Sequence, residues 1–202
     1  MRRDGAVRGR KNHPAGAKEK IVEKRISFVE WESPCGLLTI ASLEGDLVMA
    51  DWTTGWHHDV IRKRFGRLLR LPFVNEETET AEQTIAELEE YFRGERRTFE
   101  LPIRFVGTAF QLRVWRALQT IPYGALTTYG DLARAIGSPK AVRAVGGAVG
   151  QNPISIVVPC HRVVGKNDDI TGYGGGYDAK RLLLSLELNR PAESFVHKGE
   201  KK

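Results

Sequence analysis

Hydrophobic and polar positions in residues 26–54 follow a short-strand pattern. β-branched and aromatic residues form three runs that are separated by the turn-forming segments SPCG and EGD. Such runs between turn residues predict three strands in a meander. Helical periodicity follows in HHDVIRKRFGRLL and in ETAEQTIAELEEYFRG, where Gly94 ends the helix. The second of these helices carries four apolar residues on one face: Ala81, Ile85, Leu88 and Phe92. The first half is therefore predicted to be a small α+β unit.

The pattern changes to a mainly helical one near Leu101-Pro102. TAFQLRVWRALQTI predicts an amphipathic helix that is capped by Thr108. Its inward positions are Phe110, Val114, Trp115 and Leu118. Near the end of the chain, DAKRLLLSLELNR predicts a last amphipathic helix.

Between these helices, TTYGDLARAIG and SPKAVRAVGGAVGQN predict two short helices with a tight turn between them. Ser138 is placed to cap the second of them, with Pro139 at its first position. The pair is a candidate helix-turn-helix, although any αα-hairpin has the same pattern. The second helix is rich in small residues, which permit close approach of another helix or of the walls of a nucleic-acid groove.

The segment NPISIVVPCHRVVG predicts a strand or an extended buried segment, with Cys160, His161 and Arg162 inside it. The glycine-rich segment KNDDITGYGGGYD follows. It lacks the preceding strand and the glycine spacing of a dinucleotide-binding loop. Its glycines predict either close approach of the backbone to a ligand or a flexible connector.

Charge divides the chain unevenly. Residues 1–20 have a net charge of +5 and no periodicity, which predicts a basic disordered arm. Residues 21–100 carry −6 and residues 101–190 carry +6. This asymmetry indicates either an anionic partner for the second half or ordinary solvated charge. We predict an N-terminal α+β domain over residues 21–102, a C-terminal domain over 103–190 and a tail over 191–202.

Composition excludes several classes of protein. At 202 residues and 41% hydrophobic content the chain can bury a sizeable core, yet it has no apolar run long enough for a membrane span. No secretory leader is evident in the first 20 residues. The two cysteines favour a reducing compartment over a disulfide framework. Neither they nor the adjacent His57 and His58 match a zinc pattern, and we expect no metal. The expected location is the cytoplasm, or the nucleus in a eukaryote.

Cys160 allows three interpretations. It can be an inert buried cysteine beside a surface histidine, the nucleophile of a hydrolase, or a thiolate that accepts a group from a nucleic-acid base. A nucleophilic thiol requires a base or a positive charge nearby. Consecutive side chains of a strand point to opposite faces, so His161 reaches Cys160 only if Pro159 bends the chain or a water molecule bridges them. Glu187 on the last helix is placed to orient the imidazole.

The same residues resemble a known family. NPISIVVPCHRVVG, together with SPKAVRAVGGAVGQ, TGYGGG and LLLSLE, is similar to the O6-alkylguanine-DNA alkyltransferase family, whose signature is Pro-Cys-His-Arg. The similarity runs without obvious gaps over residues 108–187. It is looser in the first half, in SPCGLLTIAS and YFRGER, and covers most of residues 24–190.

The resemblance implies a role for each matching residue of the site. Cys160 is the implied acceptor of one alkyl group from guanine O6, with His161 as its base through a water molecule. Glu187 holds the imidazole, Asn152 orders the active-site turn, and Tyr129 donates a proton to the leaving guanine. The base pocket is implied to involve Val163, Tyr173, Gly174 and Gly175.

The resemblance also implies that the protein binds double-stranded DNA through the minor groove. Arg143 matches the family's arginine finger, which fills the space left when the damaged nucleotide is flipped out of the duplex. The other implied DNA contacts are Ser138, Lys140, Ala141, Val142, Ala144 and Gly146. Gly174 stands where some relatives have serine, and Val142 where alanine is common. These departures bear on alkyl-size preference and on the fit to the groove.

The predicted fold class is α+β: an N-terminal ribonuclease H-like domain of sheet and helices, then a C-terminal helical domain with a winged helix-turn-helix. The predicted function is repair of O6-alkylguanine in DNA by a single transfer of the alkyl group to Cys160, and the same repair is expected for O4-alkylthymine. We expect a monomer without a cofactor. Two alternatives are a non-catalytic alkyltransferase-like protein that recognises damage, in which tryptophan commonly replaces the cysteine, and a transcriptional regulator.

Overall fold

The computed structural model describes residues 23–55 and 57–197. The basic arm predicted over residues 1–20 lies outside them. Among the described residues, no helix is both long and apolar enough to cross a membrane. An N-terminal sheet with two helices precedes a mainly helical C-terminal part, so the predicted fold class is confirmed.

The N-terminal half is built on a four-stranded sheet in the order β3-β2-β1-β4. The predicted meander is present as three antiparallel strands: β1 (Ile26–Ser33), β2 (Gly36–Leu43) and β3 (Asp46–Trp52). A fourth strand, β4 (Phe73–Asn75), pairs in parallel with β1. Its three residues are too few for an alternating pattern, and the sequence analysis did not predict it.

Two helices cover the sheet. The first, α1 (His58–Leu69), packs Ile61 and Phe65 into a cluster with Ala41 and Met49. The second, α2 (Glu79–Phe92), packs into a larger cluster that contains other residues of β2 and β3. Successive side chains of a strand point to opposite faces, and here one face contributes to each cluster. Both faces of the sheet are therefore buried.

The C-terminal half contains the predicted helices as α3 (Ala109–Leu118), α4 (Tyr129–Ala135), α5 (Val142–Val149) and α6 (Gly176–Leu188). A two-stranded parallel ladder joins β5 (Thr127–Thr128) to β6 (Val163–Val164). The contacts among α3, α4 and α5 form one helical group, with α4 and α5 as its consecutive short helices.

The predicted start of α5 was wrong. Its N-cap is Ala141, which makes no side-chain cap, and the helix begins at Val142. Ser138 instead begins a separate turn, in which its carbonyl accepts a hydrogen bond from the Ala141 amide. Ser138 and Pro139 therefore belong to this turn and not to α5. The first backbone amides of α5 have no side-chain cap and can bind other partners.

The segment around Cys160 is extended only in part. The Ala50 amide donates to the Pro153 carbonyl at 2.9 Å, and the Ser155 amide donates to the Ala50 carbonyl at 2.7 Å. The edge of β3 thus anchors this segment to the N-terminal sheet. Beyond Ser155 the chain turns, because Ile156 has a φ of 70°, which is costly for a β-branched residue. A short 3₁₀ helix then carries Cys160.

The last described residues pack against the body of the protein. Phe195, in the segment predicted as a tail, is buried against Ile170 and Leu184. Two residues later, His197 stacks on Tyr177 of α6. Within residues 191–197, Phe195 therefore belongs to the hydrophobic interior.

Candidate active site

Cys160 is the first residue of the 3₁₀ helix Cys160–Arg162 and is 5% exposed. Pro159 precedes it with a φ of −81° and a ψ of 64°, which turns the chain out of the extended conformation. The sulfur accepts a hydrogen bond from Asn152 Nδ2 at 3.2 Å, and Ser155 Oγ lies 4.0 Å away. A polar donor is therefore aimed at a buried thiol.

Asn152 links the two ends of the active-site turn. Its Nδ2 donates to the Val158 carbonyl at 2.9 Å and to Cys160, while its Oδ1 accepts from the Ile154 amide at 3.1 Å. The side chain is 1% exposed. These bonds satisfy backbone groups that the irregular segment leaves without a sheet partner. The position fits the ordering function implied for Asn152.

His161 is fully buried and forms a pair with Glu187 on α6. Its Nε2 lies 2.8 Å from Glu187 Oε1. A neutral imidazole in this pair donates from Nε2 and has its lone pair on Nδ1. Nδ1 has no hydrogen-bond partner within the described part of the chain. Glu187 thus selects the tautomer in which Nδ1 can accept a proton.

Arg162 binds both oxygens of the same carboxylate. Its Nε donates to Glu187 Oε2 and its Nη2 to Glu187 Oε1, both at 2.8 Å, and its Nη1 donates to the Ile121 carbonyl. Burial alone would raise the pKa of Glu187, but the hydrogen bonds and charges of His161 and Arg162 hold that pKa well below its usual range. The lowered pKa keeps Glu187 ionised at neutral pH.

Two further residues of this site, Tyr91 and Lys180, were not predicted from the sequence. The hydroxyl of Tyr91 on α2 donates to Glu187 Oε1 at 2.8 Å. Lys180 on α6 donates to the Val163 carbonyl at 2.7 Å, and burial lowers its pKa to about 8. The charge of Lys180 also favours the thiolate of Cys160. Both residues occupy ordinary positions on amphipathic helices, where nothing in the pattern separates them from surface or core residues.

Protonation differs between the thiol and its neighbour. Burial raises the pKa of Cys160, although the hydrogen bond from Asn152 opposes the shift. Burial lowers the pKa of His161, and the contact with Glu187 opposes that shift. At neutral pH Cys160 is therefore a protonated thiol and the next residue in the chain, His161, is a neutral imidazole.

Tyr129 opens α4 and contacts the glycine-rich loop. Its hydroxyl lies 2.7 Å from Thr171 Oγ1. Burial raises the pKa of this phenol, although the hydrogen bond with Thr171 opposes the shift, so the hydroxyl stays protonated at neutral pH. Gly146 of α5 lies against the ring, where an added Cβ would contact Cδ1 at 3.7 Å. Tyr129 thus connects the short helices to the acceptor site.

The residues implied to contact DNA lie on α5 and in the turn before it. Lys140, Val142, Arg143 and Ala144 are exposed, whereas Ser138, Ala141 and Gly146 are partly buried. The apolar side of the helix is buried through Val145, Ala148 and Val149. The helix and the turn before it therefore present an exposed surface with two cations, Arg143 and Lys140, among small residues.

A cavity of about 10 Å³ adjoins Cys160. Tyr173 and Gly174 line it, as predicted for the base pocket, and so does His57 of the N-terminal half. Val163 is fully buried in β6, and Gly175 lines a neighbouring hollow, so neither borders this cavity. A larger hollow of about 880 Å³ between Phe92, α6 and Phe195 does not include the thiol.

Comparison with known proteins decides the family. The model of the 6-O-methylguanine DNA methyltransferase DNA-binding domain matches residues 109–189, and that of the ribonuclease-like domain matches residues 27–105. This chain belongs to the 6-O-methylguanine DNA methyltransferase family. The resemblance predicted from the Pro-Cys-His-Arg signature is thereby confirmed.

Curated relatives and solved structures agree with this membership of the methyltransferase family. The chain is 44% identical over 179 residues to the methylated-DNA–protein-cysteine methyltransferase of Mycolicibacterium paratuberculosis, covering 85% of this chain and 98% of that protein. It is 48% identical over 135 residues to the inducible Bacillus subtilis enzyme of that name, covering 67% of this chain and 73% of that protein. The crystal structure of Mycobacterium tuberculosis OGT in complex with DNA superimposes with a TM-score of 0.69 at 39% identity, covering 82% and 94% of the two chains.

The proton transfer from Cys160 to His161 that the resemblance implies predicts a level pH profile for this methyltransferase. Proton transfer from Cys160 to His161 changes no proton count, so the transfer rate should be independent of pH between the lowered pKa of the imidazole and the raised pKa of the thiol. We expect the single-turnover rate constant to vary less than about twofold between pH 6.5 and 7.5, where Lys180, with a pKa of about 8, is mostly charged. It should decline only below the lowered pKa of His161. Measurement on protein whose circular dichroism is unchanged checks this. A tenfold rise per pH unit over that range would contradict the pairing.

Proposed function

We propose that this protein repairs O6-alkylguanine in DNA by direct reversal, moving the alkyl group to its own Cys160 in a single turnover. The observation that carries the proposal is a buried thiol with Asn152 as donor and a neutral, carboxylate-held His161 beside it. This site lies in a chain 44% identical to nearly the whole length of a methylated-DNA–protein-cysteine methyltransferase.

The proposed reaction is one displacement at the alkyl carbon. The thiol of Cys160 gives its proton, through a water molecule, to Nδ1 of His161, and the sulfur attacks the carbon. The S–C bond forms as the C–O6 bond breaks, and guanine leaves with a proton from the Tyr129 hydroxyl. The imidazolium afterwards returns a proton to the phenolate through solvent. The net change is thiol plus O6-alkylguanine to thioether plus guanine.

Turnover stops at the thioether. A thioether has no acidic proton and its alkyl group has no good leaving group, so no group of this site restores the thiol. A protein that only recognises damage would need no acceptor, whereas this chain has a buried thiol that accepts a hydrogen bond from Asn152 and is favoured as thiolate by the charge of Lys180. Transfer is therefore favoured over recognition alone.

DNA binding is assigned to α5 and the turn before it. Arg143 and Lys140 are exposed there, and the first amides of α5 have no side-chain cap, which suits a phosphate. Small residues let the helix approach the minor groove, which is only about 6 Å wide. We assign Arg143 to the space vacated by the flipped nucleotide. The protein is proposed to act as a monomer, and its two free thiols favour the reducing cytoplasm.

The proposed function is tested by measuring the repair of methylated DNA. A duplex oligonucleotide with one O6-methylguanine is incubated with the protein and digested to nucleosides, which are separated by chromatography. We expect one guanine restored per protein molecule, with excess oligonucleotide left methylated. Absence of restored guanine, or restoration that exceeds the protein added, would overturn the proposal.

Arg143→Ala separates a flipping function from that of a solvated surface residue. As a finger, Arg143 stabilises the extrahelical nucleotide against a restacking free energy of a few kcal/mol. We expect the rate constant on methylated duplex to fall by about tenfold or more, since 1.4 kcal/mol is worth about tenfold. Transfer from free O6-benzylguanine should change little, because it has no stack to leave. The measurement is the ratio of the two rate constants.

Arg134→Ala is the matched control for Arg143→Ala, because Arg134 is an exposed arginine on α4 that already pairs with Asp131. Its ratio of duplex to free-base rate constants should equal that of the wild type. If Arg143→Ala also leaves the ratio unchanged, Arg143 is not the finger.

A further inference from the structure

A second histidine–carboxylate pair lies close to the acceptor cysteine, and it comes from the N-terminal half. His57, in the turn before α1, is 2% exposed, and its Nδ1 lies 2.9 Å from Oδ2 of Asp51 at the end of β3. Asp51 is fully buried, and its other oxygen lies 3.5 Å from Ser155 Oγ. A buried, hydrogen-bonded imidazole is held in one orientation, since its release would leave Asp51 without this partner.

His57 forms part of the wall of the cavity beside Cys160. The same cavity is bordered by Asn152, Ser155, Tyr173 and Gly174. Thus the N-terminal half contributes a side chain to the acceptor site that the catalytic assignment above does not use. The adjacent His58 does not border this cavity.

The imidazole occupies the space that a side chain at position 174 would need. A Cβ added to Gly174 would lie 1.6 Å from His57 Nε2 and 2.3 Å from Cε1. This overlap cannot be relieved without moving the loop or the imidazole, which Asp51 holds in place. His57 and Gly174 are therefore a complementary pair.

The next glycine shows the same close approach. A Cβ on Gly175 would lie 2.3 Å from Cε2 of Trp52. Two successive glycines thus seat the loop against two side chains of the N-terminal half. The sequence analysis predicted either approach to a ligand or a flexible connector, and the structure shows close packing on protein side chains at both positions.

The cavity beside Cys160 is too small to hold a base while the loop is packed in this way. About 10 Å³ holds about one water molecule, far less than the roughly 300–1,000 Å³ of small-molecule sites. A base that reaches Cys160 therefore needs the wall of this cavity to move, and the contact between Gly174 and His57 is part of that wall. A hollow of about 300 Å³ lies along the same loop, bordered by Trp52, Gly174 and Gly176, and gives the loop room to move.

We propose that His57 is a specificity-determining residue, which together with Gly174 limits the size of the O6 substituent that reaches Cys160. The proposal rests on the alkyl transfer proposed above. With the imidazole fixed by Asp51, a methyl group requires a small displacement of the loop and a benzyl group a larger one. Removal of the imidazole enlarges the pocket on the side that faces the loop.

The test compares two substrates in the same duplex, one with O6-methylguanine and one with O6-benzylguanine. For His57→Ala we expect the ratio of benzyl to methyl rate constants to rise about tenfold or more, the range that one small group in a pocket supplies. His58→Ala is the matched control, since His58 is a buried neighbour outside the cavity. Its ratio should stay at the wild-type value. Ratios are insensitive to the fraction of folded protein.

A second pair of variants tests the complementarity directly. Gly174→Ala should lower the methyl rate constant at least tenfold, because its Cβ meets His57. The double variant His57→Ala/Gly174→Ala should return to within about threefold of His57→Ala alone. Gly66→Ala is the control, since its Cβ meets nothing within 4 Å. An unchanged ratio in His57→Ala, or no rescue in the double variant, overturns the proposal. Failure of the wild type to transfer either group would instead overturn the proposed function.

Discussion

Cys160→Ser is expected to abolish alkyl transfer completely while affinity for methylated duplex DNA stays within about twofold of the wild type. A serine hydroxyl at this place would be far less acidic than the thiol, whose pKa burial already raises. His161 is a weak base because its own pKa is lowered, so it cannot activate a hydroxyl. The DNA-binding surface on α5 is untouched. Single-turnover assays and equilibrium titration of labelled duplex provide the two readouts.

Cys35→Ser is the matched control for this substitution. Cys35 is partly buried in the turn between β1 and β2, where its sulfur lies 3.5 Å from Ser33 Oγ. Transfer should proceed at the wild-type rate in this variant. Residual transfer in Cys160→Ser, or its loss in Cys35→Ser, would show that the acceptor has been assigned to the wrong thiol.

Glu187→Gln is expected to lower the free energy of unfolding by about 3–5 kcal/mol, because it leaves the buried Arg162 without its carboxylate. The same carboxylate bonds His161 and Tyr91, so one substitution disturbs three buried partners. The amide can also donate to Nε2, which favours the tautomer with its proton on Nδ1. Transfer per folded molecule should therefore fall by about 100-fold or more, the usual contribution of a positioned base.

Urea unfolding and single-turnover rates at low denaturant measure the two effects of Glu187→Gln. Glu193→Gln changes an exposed carboxylate near the end of the described chain and should lie within about 0.5 kcal/mol of the wild type. A Glu187→Gln variant that keeps the wild-type rate would contradict the orienting function of the carboxylate. Unchanged stability would contradict the buried ion pair.

Local sequence patterns predicted much of the fold, because most elements are set by local periodicity and caps. Thr108 caps α3 as predicted, and its capping box with Gln111 is complete. Ser138 does not cap α5, since the residues that favour a helix start also favour the isolated turn that forms there. The segment at Ile156 is irregular because tertiary hydrogen bonds from Asn152 and β3 outweigh its strong strand propensity.

The candidate site, like the fold, could be predicted from the sequence only in part. The residues around the Pro-Cys-His-Arg signature are close in sequence or matched by the resemblance, and the structure brings Cys160 to Asn152 and His161 to Glu187. Their assigned chemistry remains a prediction. His57 and Asp51 could not be assigned to the site, because their proximity to Cys160 depends on how the two halves pack. Neither residue has a local pattern that indicates such a contact.

The intact mass of the protein after incubation with methylated duplex tests the central claim most directly. We expect each molecule to gain one methyl group in place of a hydrogen, the gain to stop at one with excess substrate, and peptide mapping to place the group on Cys160. An unmodified protein, a methyl group on Cys35, or continued demethylation of the DNA by unmodified protein would contradict it.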